Sequence, residues 1–250
     1  MSQAFKISLD AYDSHVAQMQ ATHPLLLPTR DVWIRAREWT EGKPPRRKFS
    51  VGIVGTRKPS EYGLRVTEEL VARLARFDVC VVSGGAFGID RIAHESALTE
   101  GLSTKAWLVG PIEDPGPRAH RRLFEAIEKA PGSALLVPSH LNNPENGTRQ
   151  RLGPWSWLAR NAWVAADVDA LVVVEAFLKS GTWQTVNDAH ELGKAIFLVP
   201  GSIFTASSCG TNKMISNSCG QIVLDLGELT ETLVVLAHQG SYNINKSPSV

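Results

Sequence analysis

The sequence is poor in cysteine, in net charge and in long apolar runs. Three cysteines among 250 residues are too few for a disulfide framework, and they lack the clustered His and Cys partners of a zinc site. A net charge of +1 provides no global field for nucleic acid, so any anion site must be local. No run is long enough to span a membrane, and residues 1–20 do not resemble a signal peptide. We expect a cytoplasmic protein without a metal.

Two common nucleotide-binding motifs are also missing. The glycines do not follow the Gly-x-Gly-x-x-Gly spacing with an acid about twenty residues later that binds dinucleotides. The chain has no Gly-Lys-Ser/Thr phosphate loop either. A nicotinamide dehydrogenase and a P-loop ATPase are therefore set aside.

Short apolar runs alternate with helical patterns from Phe49 onward. The predicted strands are 51–54, 79–82, 105–109, 134–137, 170–174, 195–199 and 221–224. The predicted helices lie near 61–77, 90–100, 118–130, 155–166, 183–193 and 227–238. Because the strands are continuously apolar, both sheet faces are expected to be covered, which indicates an α/β fold with a doubly wound, mostly parallel, Rossmann-like sheet. Ligands in such a fold bind beyond the carboxyl ends of the strands, where strand order reverses.

The two ends of the chain differ from this central domain, which we place at 49–238. Residues 1–48 are punctuated by prolines, and we expect a short N-terminal extension packed on the domain, with a short helix at 31–39. The basic triplet 46–48 suits a solvated linker or a contact to an anion. Residues 239–250 are polar without periodicity, which predicts a disordered tail.

The stretch from Val51 to Ser60 carries the first chemical signal. An apolar strand ends at Gly55, Arg57 and Lys58 follow, and a helical pattern begins after Ser60. Backbone N–H groups and the helix dipole favour an anion at such a place, and the simplest one is a phosphate. An ordinary surface turn with two solvated cations explains the pattern equally well.

Three further strands end in loops rich in glycine and hydroxyl side chains. The sequences of these loops are Ser83-Gly84-Gly85-Ala86-Phe87-Gly88-Ile89-Asp90, Ser180-Gly181-Thr182 and Pro200-Gly201-Ser202. Glycines let a backbone approach a ligand closely, and Asp90 is a candidate N-cap for the next helix. Since all these loops follow strands, we expect them to converge at one edge of the sheet.

The region 138–163 is long for a loop in a compact domain. It holds three arginines and three tryptophans, which are Arg149, Arg151, Arg160, Trp155, Trp157 and Trp163. Cations beside aromatic rings suit single-stranded nucleic acid, where phosphates pair with arginine and bases stack on rings. The alternative, a core helix, is favoured for Trp163 and stays open for the other two tryptophans.

Together these motifs resemble the DprA/Smf family, the DNA-processing proteins of bacterial recombination and natural transformation. The resemblance covers roughly residues 51–216. Its blocks are Gly55-Thr56-Arg57-Lys58-Pro59-Ser60 with Tyr62-Gly63, Ser83 to Asp90 with His94, Arg160-Asn161, Glu175-Ala176 with Ser180-Gly181-Thr182, Val199-Pro200-Gly201-Ser202, and Gly210-Thr211-Asn212-Lys213.

The resemblance implies a homodimeric, non-enzymatic protein without a cofactor, which protects single-stranded DNA and helps to load the RecA recombinase. The residues it implies for DNA and phosphate binding are Thr56, Arg57, Lys58, Ser60, Gly84, Gly85, Ala86, Phe87, Gly88, Arg160, Asn161, Ser180, Gly181, Thr182, Gly201 and Ser202. Phe87 and Ala162 stand where the family usually has arginine. These replacements should weaken DNA binding and flatten its salt dependence, although Phe87 would be able to stack on a base. We also expect no appended winged-helix module.

A nucleotide-binding enzyme or sensor is the rival interpretation. The turn before residue 185 resembles that of the phosphoribohydrolases that cleave nucleoside monophosphates, but Thr185 stands at the position of their catalytic glutamate. A threonine cannot replace a carboxylate in that chemistry. Glu175 is the only nearby substitute that the sequence suggests, and a sensor would need a closed, purine-sized pocket.

Overall fold

A computed structural model describes residues 3–39, 47–142 and 154–243. In these residues nine strands form one sheet. The strands are β1 (Phe5–Ser8), β2 (Asp31–Arg35), β3 (Phe49–Val54), β4 (Val79–Ser83), β5 (Ser103–Trp107), β6 (Ala134–Pro138), β7 (Ala170–Val173), β8 (Ala195–Leu198) and β9 (Gln221–Ile222). The helices are α1 (Leu9–Tyr12), α2 (Ser14–Thr22), α3 (Glu61–Leu74), α4 (Ile89–Thr99), α5 (Arg121–Lys129), α6 (Pro154–Ala166), α7 (Thr182–Glu191), α8 (Cys209–Ser216) and α9 (Leu226–Asn243). None of the helices in the described ranges is long and apolar enough to cross a membrane.

The strand order, β1-β2-β6-β5-β4-β3-β7-β8-β9, is that of a doubly wound sheet. Strands β3 to β9 run parallel to one another, and the sequence-based prediction of the fold class is confirmed. From β3 the chain first proceeds outward through β4, β5 and β6, and then returns to β7 on the other side of β3. The order therefore reverses between β3 and β7, and the loops that follow these two strands flank the expected ligand crevice.

Apolar layers cover both faces of the sheet. On one face, α3, α4 and α9 pack Leu70, Ala93 and Leu229 against the buried side chains of β3 and β4. On the other face, α6, α7 and α8 contribute a second core that contains Trp163 and Met214. Every residue of β4, β5, β6 and β7 is buried, as continuous apolar runs require in a two-sided sheet.

The prediction of a helix at 31–39 is wrong. Residues 31–35 form β2, which pairs antiparallel with β6 and with β1. Val32 and Ile34 are fully buried whereas Asp31 and Trp33 are partly exposed, and this period of two is that of a strand. The N-terminal segment thus extends the sheet, and its boundary as a separate domain stays a prediction.

Three other local expectations need correction. The sequence did not reveal β1, the two N-terminal helices or α8, all of which are short. Helix α9 continues to Asn243, so the expected tail does not begin at residue 239, and residues 244–250 lie outside the described part. The 3-10 turn Arg118–His120 precedes α5 where one continuous helix was predicted.

A buried polar cluster fastens the N-terminal segment to the domain. The Asp167 carboxylate accepts hydrogen bonds from Lys105 Nζ at 2.5 Å, Tyr12 Oη at 2.8 Å and Trp107 Nε1 at 2.9 Å. Asp167 has no exposed surface, so its charge depends on these donors. The cluster joins α1, β5 and the end of α6, and so helps to fix α6 beside the sheet.

Candidate functional site

A cleft of about 760 Å³ opens at the carboxyl ends of β3, β4 and β7, which is the point where strand order reverses. It is formed by the loops after these strands together with α6 and the first turn of α7. Its lining includes Thr56, Arg57, Lys58, Gly84, Ala86, Asp90, Trp157, Arg160, Asn161, Ser180, Gly181, Thr182 and Thr185. Three of the four strand-end loops predicted from the sequence, together with Arg160 and Asn161 of α6, therefore meet in one place.

The loop between β3 and α3 carries two exposed cations. Its backbone is fixed because Thr56 N donates to Glu175 O at 2.7 Å and Lys58 N donates to Thr56 Oγ1 at 3.1 Å. Arg57 and Lys58 follow with exposed side chains, and in the described residues neither forms an ion pair. Both cations remain available to an anion in the cleft.

Ser60 plays a different role from the one predicted for it. Its hydroxyl accepts a hydrogen bond from Gly63 N as the N-cap of α3 and donates to Glu175 Oε1 at 2.7 Å. Glu175 Oε2 accepts from Ser60 N at 2.8 Å, and Ser207 donates to Oε1 at 2.8 Å. The serine is therefore engaged in holding α3 against the end of β7, and it does not line the cleft.

Glu175 has no exposed surface and is surrounded by serine and backbone donors. Its location excludes it as the substitute catalytic carboxylate of the rival enzyme interpretation, because its oxygens point to structural partners. Thr185, at the position of the phosphoribohydrolase glutamate, does line the cleft. The cleft therefore presents a hydroxyl where such an enzyme needs a carboxylate.

The glycine loop after β4 turns only part of its backbone toward the cleft. Gly84 and Ala86 line it. Gly85 (φ 64°) and Gly88 (φ 78°) have left-handed conformations and do not line the cleft. A Cβ on Gly88 would collide with the backbone of Thr56 and Arg57. The predicted cradle thus consists of fewer residues, and Gly88 instead allows two loops to pack together.

Asp90 is not the N-cap of α4, because Gly88 occupies that position. The Asp90 carboxylate instead lies in the first turn, where Oδ2 accepts from Ala86 N at 3.3 Å. Burial raises the pKa of this carboxyl, while the charge of Arg160 acts to lower it. Asp90 closes the glycine loop on the floor of the cleft.

Arg160 is a buried cation that organises the site. Its side chain is 3% exposed, and Nη1 donates to Gly84 O and, at 2.7 Å, to Trp107 O. Burial lowers the pKa of Arg160 to about 10; the charge of Asp90 opposes this shift and that of Arg57 adds to it. The guanidinium is thus charged at neutral pH and occupies the space where a Cβ of residue 84 would stand.

Trp157 lies close to two cations. The guanidinium carbon of Arg57 is 5.4 Å from the Trp157 ring centroid, and that of Arg160 is 5.7 Å away. Both distances are within the range of cation–π attraction. Trp157 is thereby held at the cleft wall, whereas Trp163 belongs to the core as predicted. Trp155 is 80% exposed.

Asn161 and the turn at 180–182, which were also predicted to bind DNA, both lie at the cleft. Asn161 Nδ2 donates to Gly181 O at 3.2 Å and so joins α6 to the loop before α7. The buried Ser180 Oγ has no hydrogen-bond partner among the described residues, and Ser180 and Thr182 both line the cleft. This hydroxyl is thus a buried polar group without a partner at the margin of the cleft.

The last predicted loop does not reach the cleft. Gly201 and Ser202 line a separate depression of about 490 Å³ together with Ser60 and Tyr62. Phe87 is 44% exposed and meets the His120 ring edge-on at 4.5 Å, and it does not line the cleft. Ala162 is 2% exposed in the core. Arg149 and Arg151 lie outside the described residues.

Comparison with known proteins decides the family. A family model described as DNA recombination-mediator protein A matches residues 38–234. The chain belongs to this family. The DprA/Smf resemblance inferred from the motifs is thereby confirmed.

Curated DprA proteins resemble the chain over its central part. A DNA processing protein DprA of Mycobacterium tuberculosis is 38% identical over 166 residues, which are 66% of this chain and 40% of that protein. The DprA of Bacillus subtilis is 30% identical over 172 residues, which are 69% of this chain and 55% of that protein. The chain thus spans about half the length of these relatives.

Two solved DprA structures share the fold. DprA of Streptococcus pneumoniae has a TM-score of 0.75 at 24% identity, with 91% of this chain and 73% of that chain covered. A DprA structure from Helicobacter pylori, described in terms of its single-stranded DNA-binding mode, has a TM-score of 0.72 at 24% identity, with 93% and 96% covered. The chain therefore shares the extended Rossmann-like fold of these two DprA structures.

Proposed function

We propose that this DprA-family chain binds single-stranded DNA in the cleft at the strand-order reversal. The observation that carries the proposal is the position of Trp157 beside Arg57. An aromatic face next to an unpaired guanidinium matches the two parts of a nucleotide, because bases stack on rings and phosphates pair with arginine.

The other groups of the cleft suit the same ligand. Arg57 and Lys58 are exposed and without acidic partners in the described residues, and they would hold phosphates. Arg160 adds a buried positive charge, while its hydrogen bonds keep the glycine loop in place. Ser180 Oγ and the backbone before α7 add donors at a helix N-terminus. Among the described residues of the lining Asp90 is the one acid, against Arg57, Lys58 and Arg160, so this part of the cleft is cationic.

The relatives support this role. The family model is described as a recombination mediator, and the Helicobacter pylori structure is described by its single-stranded DNA-binding mode. By this likeness we further propose that the chain protects single-stranded DNA and helps to load a RecA-type recombinase. A reconstituted assay would test this step by following recombinase assembly on DNA covered with a single-strand-binding protein, with and without the chain.

We also propose that the protein is a homodimer. Ile222 and Leu224, at the β9 edge of the sheet, are 46% and 78% exposed. An open edge strand with apolar neighbours favours pairing with a second copy. Light scattering of the wild type should give a dimer mass, and Leu224→Glu should shift it toward the monomer. A wild-type monomer at micromolar concentration would contradict the proposal.

The primary test is fluorescence anisotropy with a labelled oligo-dT at several salt concentrations. The wild type should bind, and Arg57→Ala should weaken binding and make the slope of log K against log salt shallower by about 0.7, the value for one phosphate contact on a single strand. Lys58→Ala should act in the same way. Absence of wild-type binding at low salt would refute the proposal.

Arg76→Ala is the matched control for net charge. Arg76 is exposed and lies beyond the carboxyl end of α3, roughly 20 Å from the cleft by the length of a 14-residue helix. The control should retain the wild-type salt slope. If both arginine variants lose the same slope, binding reflects overall charge and not this cleft.

A further inference from the structure

A second depression adjoins the cleft and has a different chemical character. It measures about 490 Å³ and is lined by Ser60, Tyr62, Pro200, Gly201, Ser202, Thr205 and Ser208. None of these residues carries a charge at neutral pH, since partial burial and the nearby Glu175 raise the pKa of the Tyr62 phenol. The depression therefore offers hydroxyls, backbone and an aromatic ring.

The segment between β3 and α3 contributes residues to both the depression and the cleft. Lys58 lines the cleft and Ser60 lines the depression, so that a single residue of the loop separates them. Lys58 is exposed at this boundary and has no ion pair among the described residues. A chain of nucleotides that leaves the cleft across Lys58 would meet the depression next.

Two large apolar side chains stand between Ser202 and Thr205, which both line the depression. Phe204 is 93% exposed and Ile203 is 78% exposed, in the loop between β8 and α8. Exposing an aromatic ring to this degree is unfavourable in water, and the rest of the described protein leaves the Phe204 ring almost entirely uncovered. Tyr62, which lines the depression, is 47% exposed.

The loop that carries Phe204 is rigidly held. Gly201 N donates to Asn212 Oδ1 at 3.0 Å, and Asn212 Nδ2 donates back to Gly201 O at 2.9 Å. Tyr62 Oη donates to Pro200 O at 2.8 Å. Glu175 binds both Ser60 and Ser207, and thereby ties this loop to the segment between β3 and α3. An exposed ring on a fixed loop is pre-organised for a ligand.

We propose that the depression is a second nucleotide subsite, in which Phe204 and Tyr62 stack bases of the same single strand while Lys58 binds the phosphate between the two subsites. This inference rests on the proposed function and extends it. An uncharged, aromatic depression next to a cation matches a base followed by a phosphate. It does not match a second phosphate cluster, which would need further cations.

The test compares oligo-dT of increasing length in the anisotropy assay. Phe204→Ala should leave the shortest bound oligonucleotides unaffected, because these fill only the cleft, and should weaken longer ones roughly 5- to 150-fold, the range for loss of one base–aromatic stack. Phe204→Trp should restore wild-type affinity. Leu25→Ala is the control, since Leu25 is 98% exposed and lies in the N-terminal segment.

Cross-linking provides an independent readout. Oligonucleotides with a single 5-iododeoxyuridine would be irradiated in the complex, and the modified peptide identified by mass spectrometry. We expect cross-links to Phe204 or Tyr62 from a different nucleotide than the one that cross-links to Trp157.

The possible failures are distinguishable. If the wild type binds and Phe204→Ala binds every length equally well, the second subsite is refuted and the cleft proposal stands. Loss of recombinase loading without loss of DNA affinity in that variant would assign Phe204 to a protein interface and would also refute the subsite. Absence of wild-type binding at any length would overturn both proposals.

Discussion

Gly84→Ala should disrupt the site through Arg160. No left-handed φ is found at Gly84, so its backbone tolerates alanine, but the added methyl group would stand where the Arg160 guanidinium lies. Arg160 would have to leave, and the carbonyls of Gly84 and Trp107 would lose a charged donor. Hydrogen bonds to charged groups contribute about 1.5–3 kcal/mol each. Because the displaced guanidinium regains water in the open cleft, we expect a net destabilisation of about 3 kcal/mol.

Urea unfolding followed by circular dichroism would measure this effect. With a slope near 3 kcal/mol per molar urea, the midpoint should fall by about 1 M. Gly181→Ala is the matched control, because Gly181 has φ −62° and a Cβ there would make only ordinary contact with Asn161 Nδ2 at 3.6 Å. Because Gly181 is the N-cap of α7, where alanine is less favourable than glycine, the entropic gain and the capping loss oppose each other, and this control should change the stability by less than about 1 kcal/mol.

A double-mutant cycle isolates the mechanism. In an Arg160→Met background the added methyl group has no guanidinium to displace, so Gly84→Ala should cost almost nothing. The interaction energy should then be about 3 kcal/mol, whereas independent effects would add. Additive costs, or a Gly84→Ala variant as stable as the wild type, would refute the reasoning. The stable variant would mean that Arg160 does not depend on the space left by glycine.

Three further predictions concern stability and activity. Burial raises the pKa of Asp188 from 3.8 to about 6, so its contribution to stability is complete below about 3.8 and is lost as the pH rises through about 6; Asp188→Asn should therefore be more stable than the wild type at pH 8 in urea titrations, and a gap of equal size at pH 4 would contradict this. Asp167→Asn leaves Lys105 buried without its counter-ion and should cost about 3–5 kcal/mol, measured by thermal or urea unfolding; a loss under about 1 kcal/mol would show that the pair is solvated or repacks. With Thr185 in place of a glutamate, the protein should release no free base from AMP when the mixture is chromatographed, and release above the buffer blank would revive the enzyme interpretation.

The sequence alone determined the class of fold and most of its elements. A continuous apolar run such as Val79 to Ser83 buries all of its side chains only in a sheet that is covered on both faces. Because these runs alternate with helical patterns, the strands are expected to be parallel. The same reasoning placed the glycine-rich loops after strands. That Arg57, Gly84 and Ser180 belong to one site follows from this rule, since the carboxyl ends of parallel strands share an edge. The place of Trp157 was open in the sequence, and the packing of α6 decided it.

Short elements and the strands near the edge of the sheet were not predicted from the sequence. Residues 31–35 have the alternating pattern of a strand, although a short helix was predicted at 31–39. Their strand character depends on pairing with β6, which lies about a hundred residues further along the chain. A pattern of five residues does not contain that information.

The tertiary structure decided what each predicted residue does. Ser60 has the type and place of a phosphate ligand, but Glu175 lies close enough to engage it. Arg160 has the type of a DNA contact, but burial and two backbone carbonyls make it a support for the glycine loop. Hydrogen bonds form between groups that are distant in sequence, so residue type defines which bonds are possible, and only the packing of the sheet and helices determines which are made.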